Sequence, residues 1–86
     1  MTITYVCAVR DQAIEAFNPP FTVPHTGAAV RGFTDEARSL KGDNAIANHP
    51  GDYELWLLGT FDTETGKLDQ ERMGRLIRGS DCVESK

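Results

Sequence analysis

Residues 3–9 alternate in the way a β-strand does: Ile3, Tyr5, Cys7 and Val9 fall on one face, Thr4, Val6 and Ala8 on the other. Apolar side chains occur on both faces, which predicts a strand inside a sheet rather than at its rim. Asp11 and Gln12 read as a turn. Residues 13–23 are interrupted by Asn18-Pro19-Pro20, and because proline donates no ladder hydrogen bond this stretch is expected to be a broken edge strand, anchored to the core by Phe17 and Phe21. A period of three to four follows. Thr26 is placed to cap a helix whose apolar stripe is Ala29, Val30, Phe33, Ala37 and Leu40, with Gly42 as its stop signal. After a polar loop over 43–52, Tyr53, Leu55, Leu57, Gly59 and Phe61 alternate with Glu54, Trp56, Leu58 and Thr60, a second strand. Asp62-Thr63-Glu64-Thr65-Gly66 closes a hairpin, and a brief returning strand begins at Lys67. Beyond Asp69, the positions of Met73, Leu76, Ile77 and Gly79 suit a short helix, with an extended tail as the alternative.

These elements predict an α+β fold: a small antiparallel sheet of three or four strands, one main helix packed on a face, and room for a short C-terminal helix. At 86 residues the chain is the size of one domain, with residues 1–79 as its body and 80–86 as a polar, frayed tail. A core this small is marginal, so a partner subunit, such as a second copy in a homodimer, is a natural supplement. Cys7 and Cys82 are expected as free thiols, the first in a strand and the second in the tail. No apolar run is long enough for a membrane span, and no signal peptide is visible, so a cytoplasmic location is expected.

The net charge of −4 argues against binding nucleic acid by overall charge. The basic residues are unevenly spread, however: Lys67, Arg72, Arg75 and Arg78 place four of the nine within twelve positions. On a helix several of these would share a side and suit phosphate oxygens, and Arg31 and Arg38 offer a second basic strip. Trp56, on the less apolar side of its strand, could stack a base or anchor a partner. The competing interpretation is an ordinary solvated face with ion pairs such as Glu71–Arg75.

Catalytic and metal chemistry find little support. Cys7, His25, His49 and Cys82 lack the short spacings of a zinc site. Asp62 and Glu64 fit a turn better than a cation site. The single, scattered glycines form neither of the familiar phosphate-binding motifs. The expectation is a non-enzymatic protein with no cofactor and no metal.

The block His49-Pro50-Gly51-Asp52-Tyr53-Glu54-Leu55-Trp56-Leu57-Leu58-Gly59-Thr60-Phe61-Asp62, followed by Thr65-Gly66, resembles the H-P-x-D-Y-x-L-x-x-L-G-x-F-D-x-x-T-G pattern of a small nonstructural protein of gokushoviruses, single-stranded DNA phages of the Microviridae. Tyr5, Arg10-Asp11, Ala16-Phe17, Pro20-Phe21 and Ala29-x-Arg31-x-Phe33-Thr34-Asp35 agree with the same pattern in order, so the likeness covers about residues 3–69. The resemblance implies a late accessory role that couples single-stranded DNA synthesis to genome packaging. It implies contacts with DNA, single-stranded in preference, or with the replication-initiation protein or procapsid. It further implies residence in the host bacterial cytoplasm and absence from the mature virion. The alternative is a protein–protein adaptor that touches the initiation protein, procapsid or a host factor without binding DNA, through an apolar strip around Trp56 and Leu58.

Overall fold

The computed structural model describes residues 2–39, 44–70 and 72–84. Two long strands, β1 (Ile3–Asp11) and β4 (Tyr53–Asp62), pair antiparallel along their whole length and form the centre of the sheet. Each carries two short strands on its outer edge. Along β1 these are β2 (Ala16–Phe17) and β3 (Phe21–Val23); along β4 they are β5 (Leu68–Asp69) and β6 (Gly74–Arg78). The six strands therefore occupy four positions across an open antiparallel sheet, as the α+β expectation required. The edge on the β1 side is split at Asn18-Pro19-Pro20, where two successive residues lack the N–H that a ladder needs. The β1–β2 turn is closed by the Ala13 amide, which donates to Asp11 Oδ1 at 3.0 Å, and by Glu15 at φ 54°.

The main helix, α1 (Thr26–Ala37), packs on one face of the sheet. Its Ala29, Phe33 and Ala37 meet Cys7 and Leu55, with Tyr5, Val9, Leu57, Leu76 and Ile77 around them. The expected stripe is present. The cap, however, is His25, whose Nδ1 accepts the Ala28 amide at 3.1 Å, so the first helical residue, Thr26, is not the cap. Gly42, expected to stop the helix, and Leu40 lie outside the described residues. The loop expected over 43–52 contains a short helix α2 (Ala45–Asn48), capped by Asn44, and a 3-10 turn Pro50–Asp52.

Three sequence expectations are corrected. The segment beyond Asp69 is not a helix at Met73–Ile77: residues 74–78 form strand β6 against β4, and the helix follows as α3 (Gly79–Glu84). Cys82, expected in a frayed tail, is 2% exposed and joins the core; its carbonyl accepts Arg38 Nε at 2.7 Å, and its sulfur lies 3.4 Å from Thr34 Oγ1. Phe17 and Phe21, expected to anchor the edge strand in the core, are each about two-fifths exposed, because they sit on the outermost strand position, where among the described residues no further strand covers them.

Two one-residue bulges decide which side chains share a face. Between β1 and β4, Val6 pairs with Gly59 and Cys7 with Leu57, so Leu58 is the extra residue. The alternation expected through Phe61 breaks there: Phe61 pairs with Thr4, on the face opposite Cys7 and Leu55. Between β4 and β6, Leu55 pairs with Ile77 and Trp56 with Arg75, so Leu76 is the extra residue. That insertion lets the consecutive residues Leu76 and Ile77 both reach the core. It also turns Arg75 and Arg78, three apart, onto the same side.

Candidate functional site

Helix α1 covers the face bearing Cys7 and Leu55, and α2 and α3 pack beside it. Among the described residues no helix lies on the other face, where cross-strand pairing aligns side chains into rows. One row is Arg10, Glu54 and Arg78; the next is Ala8, Trp56 and Arg75. Phe17 pairs with Arg10 from the neighbouring edge strand. The result is a continuous set of aromatic and guanidinium groups around one carboxylate.

The contacts within it are specific. Phe17 and Trp56 meet edge to face, with centroids 5.9 Å apart and planes at 82°. The Arg10 guanidinium lies over the Phe17 ring, 5.8 Å from its centroid. Trp56 Nε1 donates to Glu54 Oε1 at 2.9 Å, and Arg75 Nη1 donates to Glu54 Oε2 at 3.1 Å. Glu54 is thereby satisfied at both oxygens, which is what permits a carboxylate to be 5% exposed. Ala8 is fully buried although no helix covers it.

Arg78 makes a two-point contact with Asp81, Nε to Oδ2 and Nη2 to Oδ1, both 3.3 Å. The Arg78 hydrogen bonds hold the Asp81 carboxyl below the usual carboxylate range, helped by the charges of Arg78 and Arg75. Among the described contacts, Arg75 pairs with Glu54 and Arg78 with Asp81, while Arg10 lies over the Phe17 ring.

The six basic residues singled out in the sequence do not form one surface. Arg75 and Arg78 are brought together, by a bulged strand and not by a helix. Arg72 lines a separate hollow with Tyr5, Leu57, Thr60 and Asp69. Lys67 lies at the β4–β5 turn. Arg31 is exposed on α1, in the helical layer, and Arg38 uses its Nε on the Cys82 carbonyl. Glu71, the proposed partner of Arg75, lies outside the described residues; Arg75 pairs with Glu54 instead. Trp56 is on the bare face, half-buried. Sequence reasoning missed Arg10 and Phe17 as parts of the site. The only available signal was the alternation of β1, which puts Arg10 on the side of Val6 and Ala8.

The remaining candidate chemistry is structural. Asp62 Oδ1 accepts the Glu64 amide at 2.9 Å, and the Asp62 carbonyl accepts the Gly66 amide at 2.8 Å, with Gly66 at φ 77°. His25 caps α1, and Cys7 and Cys82 are free, buried thiols. Among the described residues no three His, Cys, Asp or Glu side chains group as metal ligands would.

The resemblance block also finds its physical reasons. Asp52 accepts the Gln12 amide at 2.8 Å through its carbonyl, which joins the start of β4 to the β1 turn. Gly59 lies so close to the Asp69 carbonyl that no side chain fits.

No curated protein and no solved structure matches the chain. A family model described as Phage ORF5 protein matches residues 4–82, from the first central strand through the buried Cys82 of α3. The match runs from the start of β1 into α3 and so includes Arg10, Phe17, Glu54, Trp56, Arg75 and Arg78, and the chain belongs to the Phage ORF5 protein family of bacteriophages.

Proposed function

We propose that this phage accessory protein is non-enzymatic and binds single-stranded DNA on the bare face of its sheet. The observation that carries the reading is the interleaving of Arg10, Phe17, Trp56, Arg75 and Arg78 on one exposed surface. Bases stack on aromatic rings whatever their identity, while guanidiniums track the phosphates between them. A duplex suits this surface poorly. Four strand positions about 4.8 Å apart make a slab wider than the roughly 12 Å major groove, and paired bases hide the faces that would stack. The gokushovirus likeness agrees with this choice of ligand. It extends the reading to a late role in coupling genome synthesis to packaging in the host cytoplasm, outside the mature virion.

Arg10, Arg75 and Arg78 are the three arginines of this face among the described residues, and two of them already pair with carboxylates, so stacking supplies most of the affinity. The logarithm of the binding constant should therefore fall with the logarithm of salt at a slope of about −2, the value for three phosphate contacts on a single strand. Trp56 is the sole tryptophan, so its fluorescence reports the site directly. An oligothymidylate of about ten nucleotides should quench it saturably, and the matching duplex should do so weakly. Phe17→Ala should weaken binding by about ten-fold, the contribution of one stacked base. Absence of both quenching and a mobility shift at low salt would refute the reading.

A second reading is an adaptor that contacts the replication-initiation protein or procapsid without DNA. It is favoured by the far end of the same face, where Leu68 is 71% exposed beside a hollow of about 290 Å³ lined by Val6, Leu58, Gly59 and Thr60. Recovery of those partners from infected cells free of DNA would support it over the first.

A further inference from the structure

We infer that Glu54 sets the affinity of the bare face, because its carboxylate holds in the free protein the place at Arg75 that a backbone phosphate would take. This rests on the reading of that face as a site for single-stranded polynucleotide.

The two partners are unequally exposed. The Arg75 side chain is 48% exposed and that of Glu54 only 7%. Arg75 can therefore turn outward to a ligand, whereas Glu54 cannot follow. Its second oxygen is held by the Trp56 indole, and Arg10 and Arg78 flank it across the sheet. The Arg75–Glu54 contact is a single hydrogen bond, Nη1 to Oε2 at 3.1 Å. A guanidinium has five N–H donors and binds phosphate best through two in parallel, so an incoming phosphate offers Arg75 a stronger pairing than the one it has. The exchange still leaves the buried carboxylate behind, a few ångströms from the new anion and without its main countercharge. Binding carries the loss of the Arg75–Glu54 pairing as a fixed cost. The same residue also orients the Trp56 ring, so the stacking surface and the limit on affinity share one side chain.

Glu54 is thus a positioning residue for Trp56 and a competitor for Arg75. Glu54→Gln keeps an oxygen for the Trp56 indole and removes the charge. Affinity for a fluorescently labelled oligothymidylate of about ten nucleotides, read by anisotropy in about 50 mM salt, should rise about three- to ten-fold. That is the scale of one partly exposed, singly hydrogen-bonded ion pair that no longer has to be broken before Arg75 can take the phosphate. In an Arg75→Gln background the same substitution should change affinity by less than about two-fold, since there is no guanidinium left to compete for. Glu54→Asp keeps the charge but withdraws it from Arg75 by one methylene, and should fall between wild type and Glu54→Gln.

Thermal melts of each variant accompany the binding curves. A folded Glu54→Gln that binds no more tightly than wild type overturns the inference. Equal tightening with and without Arg75 also overturns it, since that is a diffuse charge effect. Should Glu54→Gln fail to fold, Glu54→Asp decides: affinity at or below wild type overturns the competition. Wild type that does not bind while Glu54→Gln does would support it, and failure of both to bind would remove this inference together with the reading beneath it.

Discussion

Two glycine-to-alanine substitutions should move stability in opposite directions. A Cβ on Gly59 would overlap the carbonyl oxygen of Asp69 and sit 3.2 Å from both the Asp69 carbonyl carbon and the Gln70 Cα. All three are backbone atoms, so no rotamer change relieves the clash. β5 would have to move off β4, at the cost of the Thr60–Asp69 and Phe61–Leu68 pairings. Overpacking of this kind costs about 1–3 kcal/mol, and loss of the local ladder bonds adds about 1 kcal/mol. A domain of this size has only about 4–13 kcal/mol in total. At about 4–8 °C per kcal/mol, the resulting loss of about 2–4 kcal/mol means that Gly59→Ala should lower Tm by about 8–30 °C. Gly32 is the control. It lies inside α1 with nothing within 4 Å of an added Cβ, so Gly32→Ala removes only the helix penalty of glycine and should raise Tm by a few degrees, for about 0.5–1 kcal/mol. Thermal melts followed by far-UV circular dichroism measure both. A Gly59→Ala variant within about 3 °C of wild type would show that β5 is not held against β4 as described.

Two further outcomes follow from the core. Burial raises the Cys7 thiol above its ordinary value of 9.0, and burial followed by the Asp11 charge raises the Tyr53 hydroxyl above 10.0. Both acids hold their protons longer when folded than when unfolded, so the stability they contribute is complete below pH 9.0 and is lost as pH rises through their folded values; the urea midpoint should fall from that pH upward, and a midpoint flat to about pH 11 would contradict the burial of both groups. Deleting Leu76 should regularise the β4–β6 pairing, leaving Arg75 and Arg78 two residues apart on the same face. Oligonucleotide affinity should then stay within about two-fold while stability drops by about 1–3 kcal/mol for the lost side chain, and affinity falling with the bulge intact elsewhere would show that the face needs the insertion itself.

The central elements were legible because their signals are local. The alternation of 3–9, the apolar stripe from Ala29 to Ala37, and the Asp62–Gly66 turn each need only neighbouring residues to be recognised. β6 was not legible for a definite reason. Leu76 and Ile77 followed by Arg78, three after Arg75, have the spacing of a helix with one apolar and one basic side. A strand with one inserted residue produces the same spacing, and pairing with β4, some twenty positions earlier, selects the strand. The insertion at Leu58 is equally silent; the nearest sign of it is Gly59, a glycine inside a strand. One residue of insertion reverses every side chain beyond it, which is why Phe61 was expected on the wrong face.

The candidate site divides along the same line. Trp56, Arg75 and Arg78 could be named from the chain, but what makes them a surface is long-range: Phe17 reaches Trp56 across 39 positions, and Glu54 reaches Arg75 across 21. Composition and local clustering gathered Lys67 and Arg72 into the patch because they are close in sequence, and missed Arg10 because it is distant. The family block has the opposite bias. Its Asp52, Gly59, Asp62 and Gly66 work through backbone contacts and turn geometry, so it identifies a scaffold. Glu54 and Trp56 fall at positions that the block leaves open, between Tyr53 and Leu55 and just after Leu55. The fold is therefore specified by one set of residues and the chemistry of its bare face by another. A change at Glu54 or Trp56 alters the face without touching the contacts that the block supplies, which is the freedom that substitutions at Glu54 exploit.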